Sequence, residues 1–387
     1  MKKKNIVLNI NQAIRSVVGN KKKYVPLHEP VFRNDEFAYV NDCLKTTMVS
    51  TSGKYVDEFE KKIKQFTKAK YAIAVTSGTT GLHLSLKLLN VDYRSEVLVP
   101  ALTFVATANA VAHCGATAHF IDIDNETFGI DIIKLRKYLK SQTIIRNNQC
   151  VNIKTNRIIK AIIPVHVFGH MTDMDKLKSL SNEFKLKIVE DATEALGSYY
   201  NNKHAGTFGT FGVLSFNGNK IITTGGGGMI LTNDKRLAKK TKHLSTTAKK
   251  NHKWKYIHDE IGYNYRLPNI NAALGIPQIN RISQILKNKK KLFLRYKKAF
   301  LKIPNVKIKD QPKNSQSNYW LNTICLDKKI FNLRDKILDN LNKSGIFARP
   351  AWELLSNLKP YRNNPKMDLN SKAIVKSIIN IPSSYNL

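Results

Sequence analysis

The chain has 387 residues, with 64 Lys+Arg against 28 Asp+Glu, a formal net charge of +36 and 42% hydrophobic residues. That length and apolar content exclude global disorder and suit two domains or one large α/β unit, while no apolar run approaches the ~20 residues that span a bilayer. Cys43, Cys114, Cys150 and Cys325 show no paired spacing for zinc or redox work and read as reduced structural thiols of a cytoplasmic enzyme without a metal site.

Residues 1–23 read as a basic leader without strong periodicity, either flexible or an added dimer contact, and too short of apolar residues for a secretory signal. The ordered fold is expected to begin at Tyr24-Val25-Pro26-Leu27. Apolar residues recur at helical spacing over Phe37–Leu44 and Phe59–Phe66, with a loop at Ser50–Gly53 between them. Short apolar strands then alternate with helices: strands at Tyr71–Val75, Glu96–Val99, Ala118–Asp122, Ala161–Val165, Lys187–Val189, Val213–Phe216 and Met229–Thr232, and a helix at Gly81–Leu89. Apolar runs of this length, spaced by helices, predict an α/β fold with a mainly parallel sheet covered by helices. After about residue 275 the character changes to a long lysine-rich helix (Ile279–Phe300), an apolar run at Tyr319–Leu326, a helix at Leu333–Leu341 and a short apolar run at Ile346–Arg349. The expected division is a leader (1–23), a large domain (24–275) and a smaller α+β C-terminal domain (276–387).

The lysines are diffuse, with local clusters at Lys21–Lys23 and from Lys287 through Lys298. A solvated face explains them better than a nucleic-acid module, so neither specific nucleic-acid binding nor a membrane is expected.

In parallel sheets ligands sit at the carboxyl ends of the strands, and four such ends carry chemistry. Thr76-Ser77-Gly78-Thr79-Thr80-Gly81 runs from a strand into a helix, where free N–H groups and the dipole favour an anion; without a Gly-Lys-Ser/Thr ending it is no nucleoside-triphosphate loop. Pro100-Ala101-Leu102-Thr103-Phe104 offers an aromatic plate. Glu190-Asp191-Ala192-Thr193-Glu194 places a carboxylate where it needs a cation or hydrogen bonds. Ser215-Phe216-Asn217-Gly218-Asn219-Lys220, before Thr223-Thr224-Gly225-Gly226-Gly227-Gly228, sets a lysine beside glycine-rich backbone, where its amine could attack a carbonyl. Each has a bland alternative (a helix cap, a core aromatic, a surface lysine). Together they are the parts that hold pyridoxal 5′-phosphate: a phosphate clamp, a ring plate, an acid for the pyridine nitrogen and a Schiff-base lysine.

These segments resemble the DegT/DnrJ/EryC1/StrS sugar-nucleotide aminotransferases of fold type I, most specifically through SFNGNKIITTGGGG and through Gly262–Leu267 and Asn269–Gly275. The likeness runs from about Pro26 to the end. PLHEP (Pro26–Pro30), PALTFVATANAV (Pro100–Val111), PVHVFGH (Pro164–His170), SNYWLN (Ser317–Asn322) and NIPSS (Asn380–Ser384) are similar to the legionaminic-acid-type subgroup, which aminates C4 of UDP-linked 2-acetamido-4-keto-2,6-dideoxyhexoses. The resemblance implies that Lys220 forms the Schiff base, Asp191 faces the pyridine nitrogen, Thr79, Thr80 and Ser215 bind the phosphate and Phe104 stacks on the ring. Asn264 would reach the cofactor of a neighbouring subunit, implying a homodimer with shared active sites. Glu194 stands where glutamine or histidine commonly touches the ring hydroxyl, and Gly226 where the broader family has glutamate. The lysine also separates the chain from related 3-dehydratases, which carry histidine there.

The implied reaction is transamination from L-glutamate, releasing 2-oxoglutarate, to a nucleotide-linked keto sugar. His28, His170, Trp320 and Arg349 are the candidates for holding that sugar nucleotide. The alternatives are a C3 or C4 aminotransferase on a GDP- or dTDP-linked sugar, a cofactor-binding protein without turnover and a nucleic-acid-binding protein.

Overall fold

Runs of four to six buried residues become strands, and the amphipathic stretches between them become the helices that cover them. The structure, a computed structural model, describes residues 3–19 and 23–387; Lys21 and Lys22 of the basic cluster lie outside these. The helices are α1 (Lys3–Val18), α2 (Asn34–Lys45), α3 (Lys54–Thr67), α4 (Gly78–Leu88), α5 (Ala106–His113), α6 (Ile132–Gln142), α7 (Met174–Glu183), α8 (Lys235–Ser245), α9 (Asn269–Asn280), α10 (Ile282–Phe300), α11 (Arg334–Lys343) and α12 (Ser371–Ser377).

The main sheet contains β1 (Tyr71–Val75), β2 (Ser95–Pro100), β3 (Thr117–Ile121), β4 (Thr143–Arg146), β5 (Gln149–Asn152), β6 (Ile158–Ile162) and β7 (Lys187–Asp191). Two short strands, β8 (Tyr199–Tyr200) and β9 (Lys203–His204), precede β10 (Phe211–Ser215) and β11 (Gly228–Thr232), which complete it. The order is β1-β11-β10-β7-β6-β2-β3, with the β4–β5 hairpin joined through β5 to β6. From β10 to β3 the pairings along that order are parallel, and β11 runs antiparallel to both its neighbours. The expected mainly parallel α/β sheet is therefore present. Strand β6 begins three residues earlier than expected and ends before Pro164, which has no N–H to give a ladder.

β12 (Val306–Ile308), β13 (Ser315–Gln316), β14 (Asn322–Leu326), β15 (Arg349–Pro350) and β16 (Ile378–Ile381) follow; β12-β14-β16-β15 form a second sheet, and β13 pairs with β8. The single long helix expected from Ile279 is two helices broken at Arg281 (φ −102°, ψ 14°). The break lets the Arg281 guanidinium pair with the buried Glu36 carboxylate and donate to the Val31 carbonyl at 3.1 Å.

The leader expected over residues 1–23 needs correcting. Residues 3–18 form α1, whose Ile6, Val7, Ile10, Ile14 and Val17 are buried with Leu292, Tyr296, Ile337, Leu341 and Ile379 in a hydrophobic cluster. That spacing is a helical stripe, and each such side chain is worth about 2 kcal/mol on burial. Asn11 reinforces the contact by donating to Asn340 and Ser344 at 2.9 and 2.8 Å. A larger cluster surrounds the main sheet and includes Trp320 and Ile378. All four cysteines are free thiols.

Candidate active site

The main sheet brings the residues following β1, β2, β7 and β10 around one cavity of about 340 Å³. At β1, Ser77 caps α4: its Oγ accepts from the Thr80 N–H at 3.1 Å, and Thr80 Oγ1 accepts from the Ser77 N–H at 3.1 Å. This reciprocal cap leaves the Gly78 and Thr79 N–H groups of the first turn free by helix geometry, and both residues line the cavity. A Cβ at Gly78 would stand 2.8 Å from Thr193 Cγ2, so glycine keeps the helix end close to β7 and β10.

At the end of β7, Asp191 is 4% exposed. One carboxylate oxygen accepts from Thr107 Oγ1 at 2.7 Å, the other from Thr193 Oγ1 at 2.7 Å and the Thr193 N–H at 3.2 Å. Among the described residues no cation pairs with it, so a buried carboxylate faces the cavity, its position fixed by these hydrogen bonds. Phe104, 53% exposed, lies across the same space.

Glu194 is also 4% exposed. Phe168, held at φ 57°, donates its N–H to Glu194 Oε2 at 2.8 Å; a left-handed phenylalanine is a strained backbone kept by its surroundings. Burial pushes the Glu194 carboxyl up to about 7, the Asp191 charge adding to the rise, while Lys220 and the Phe168 N–H oppose it. Lys220 Nζ lies 3.6 Å from Glu194 Oε1 and 4.1 Å from the centre of the Trp320 ring. The Trp320 Nε1–H donates to the Asn219 carbonyl at 2.7 Å.

The expected residues Thr79, Phe104, Asp191, Glu194, Ser215, Lys220 and Trp320 therefore line one cavity. Thr80 does not line it, because its hydroxyl is engaged in the α4 cap, donating to the Ser77 carbonyl at 2.9 Å. His170 is buried away from the cavity, packed edge-on against Phe128 and Tyr319, and burial lowers it to about 3. His28 has both ring nitrogens enclosed and without a hydrogen-bond partner; burial, with Lys289 and Lys220 nearby, holds it well below the ordinary histidine range. Arg349 is exposed on β15, and Asn264 is exposed in the loop before α9. Sequence reasoning missed Trp352, which lines the cavity 5.1 Å from Phe168 and 6.3 Å from Phe104 between ring centres. Its signal is in Ala348-Arg349-Pro350-Ala351-Trp352, three residues after Arg349.

A model of the DegT/DnrJ/EryC1/StrS aminotransferase family matches residues 30–387. The chain belongs to that family. It is 34% identical over 365 residues to GDP-perosamine synthase of Escherichia coli O157:H7, covering 94% of each chain. It is 34% identical over 313 residues to the UDP-4-amino-4,6-dideoxy-N-acetyl-beta-L-altrosamine transaminase of Campylobacter jejuni serotype O:23/36, covering 79% of this chain and 78% of that one. Among solved structures, Helicobacter pylori PseC, an aminotransferase involved in the biosynthesis of pseudoaminic acid, superposes with a TM-score of 0.84 at 26% identity, covering 94% and 95% of the two chains. The fold is thus that of the fold type I transferases, and the chain is a pyridoxal phosphate-dependent sugar-nucleotide aminotransferase. Its own geometry fits the cofactor: a helix N-terminus for a phosphate, an exposed ring for a planar heterocycle, a buried carboxylate lacking a cation, and a lysine amine, all on one cavity. Among the described residues no helix is long and apolar enough to cross a membrane.

Proposed function

We propose that the chain transfers the amino group of L-glutamate to C4 of a UDP-linked 2-acetamido-4-keto-2,6-dideoxyhexose, giving a UDP-4-amino sugar for a surface glycan or a nonulosonic acid. The observation that carries the amino-transfer reading is the convergence of Lys220, Asp191 and the α4 N-terminus on one cavity. The UDP sugar is supported by the likeness to the Campylobacter transaminase and by the subgroup motifs. A GDP-linked sugar is the second reading, favoured by the fuller coverage of the perosamine synthase.

When bound, pyridoxal phosphate supplies the electron sink for the transfer. Asp191, fixed by Thr107 and Thr193, would hold its protonated ring nitrogen. Gly78, Thr79 and Ser215 would hold its phosphate, and Phe104 would cover the ring. Lys220 would anchor it, and once released its Nζ takes the proton from the donor's α-carbon as general base and gives one to sugar C4 as general acid. Trp320 and Trp352 line the same cavity and would meet the sugar there. Asn264 would act on the active site of a second copy, in a homodimer.

Single-turnover absorbance tests this. After conversion with glutamate and removal of the excess, the lysine-linked band should return with the UDP keto sugar and not with its GDP- or dTDP-linked counterparts. Return with the GDP sugar alone would select the second reading. No lysine-linked band in the starting protein would overturn the role of Lys220.

A further inference from the structure

Helix α10 presents Lys287, Lys290, Lys291, Lys297 and Lys298 on its lysine-rich course, yet Lys289 is fully buried. No carboxylate pairs with it among the described residues. Its Nζ donates instead to two main-chain carbonyls, that of Trp320 at 2.8 Å and that of Ser383. Burial drives its amine well below the ordinary lysine range, and the two carbonyls take up two of its N–H donors. A buried amine costs stability unless its donors are satisfied, and here two main-chain carbonyls satisfy them. Lys289 ties α10 and the closing segment to the backbone of Trp320, the residue whose indole is fixed at its other end by Asn219, next to Lys220 in sequence, and whose ring lies under the Lys220 amine.

We infer that Trp320 is the seat of the released Lys220 amine and that Lys289 is the positioning residue that holds this seat. This rests on the reading of Lys220 as the cofactor-linked lysine. Between its release and its return, the amine needs a fixed place within reach of the reacting carbons. An indole face attracts it as a cation without forming a hydrogen bond that must be broken. Of the other titratable groups, Glu194 at the end of β7 lies 3.6 Å from this amine and His28, from the segment before α2, feels its charge; Asp191 acts on Glu194, and Lys289 on His28.

The test is the pH profile of cofactor capture. Cofactor-free protein is mixed with pyridoxal phosphate, and growth of the lysine-linked absorbance band is followed from pH 6 to 10 in wild type, W320L, K289M and K289M/W320L. Loss of the ring seat removes an interaction that favours the protonated amine, so capture at pH 7 should accelerate roughly three- to tenfold and the midpoint should fall in W320L. K289M should move the same way, and the double variant should match W320L alone, since Lys289 acts through Trp320. The direction is diagnostic: a Lys289 charge acting straight on Lys220 would, on removal, move the midpoint upward. An unmoved K289M profile, an upward shift, or a double variant showing the sum of the single shifts overturns the inference. Should K289M fail to fold, K289A, which leaves both carbonyls without this donor, should still shift downward, and an unmoved profile there overturns it equally. A wild type without any lysine-linked band overturns the proposed function and this inference together, whereas a normal wild-type band with unmoved variants overturns only the latter.

Discussion

Glu194 is where this site departs from a neutral hydrogen-bonding partner. Enclosed at 4% exposure beside Asp191, with one backbone N–H and the Lys220 amine as its polar neighbours, its carboxyl is raised from 4.5 to about 7. A raised carboxyl binds its proton more tightly folded than unfolded. Its stability contribution is therefore fully present below about pH 4.5 and is lost as pH rises through about 7. Cofactor-free wild type and E194Q should unfold at similar urea concentrations at pH 4.5, and E194Q should be more stable at pH 8 by roughly 3 kcal/mol or less. An equal difference at both pH values would mean that Lys220 keeps Glu194 ionised throughout. Lys220 and Asp191 were both legible in the sequence, because each follows a strand end beside a motif with its own chemistry. What was not legible is their mutual geometry: Thr107, from α5, fixes Asp191 across 84 positions of sequence.

Among the elements, α4 and α1 behave oppositely toward sequence reading. The α4 start is written locally in Ser77 and Thr80, since a cap involves only neighbours. Helix α1 carries an equally local stripe, but its isolated stability is marginal at this length, and its order comes from the surface formed by α10 and α11. Ile10, fully buried, and Leu8, 46% exposed, separate the two contributions. I10D should lower stability by more than about 3 kcal/mol, whereas L8D should stay within about 0.5 kcal/mol. Thermal unfolding of the two variants checks this, and equal losses would mean that α1 does not pack as described.

At the scale of the whole molecule, the +36 charge describes a surface, and the carboxylates of the site, Asp191 and Glu194, are buried. The exposed position of Asn264 on its own chain is compatible with the proposed action on a second copy. Mixing K220A and N264A chains after partial unfolding should restore about a quarter of wild-type activity, since half the dimers would be mixed and one of their two sites intact. Activity no greater than the sum of the two separate variants would place Asn264 in its own subunit's chemistry.

By itself the sequence determined the α/β alternation, most strand positions and the strand-end motifs, because periodicity, caps and glycine-rich turns are properties of neighbouring residues. Only the tertiary structure decided that Lys289 is unlike the other lysines of α10, that Trp352 joins the cavity while His170 leaves it, and that Arg281 breaks one helix into two. Each of those outcomes depends on which distant segment supplies the partner: the Trp320 and Ser383 carbonyls, the ring of Phe168, or the carboxylate of Glu36. Burial and partnership are properties of packing, and a lysine acquires its function from what surrounds its amine.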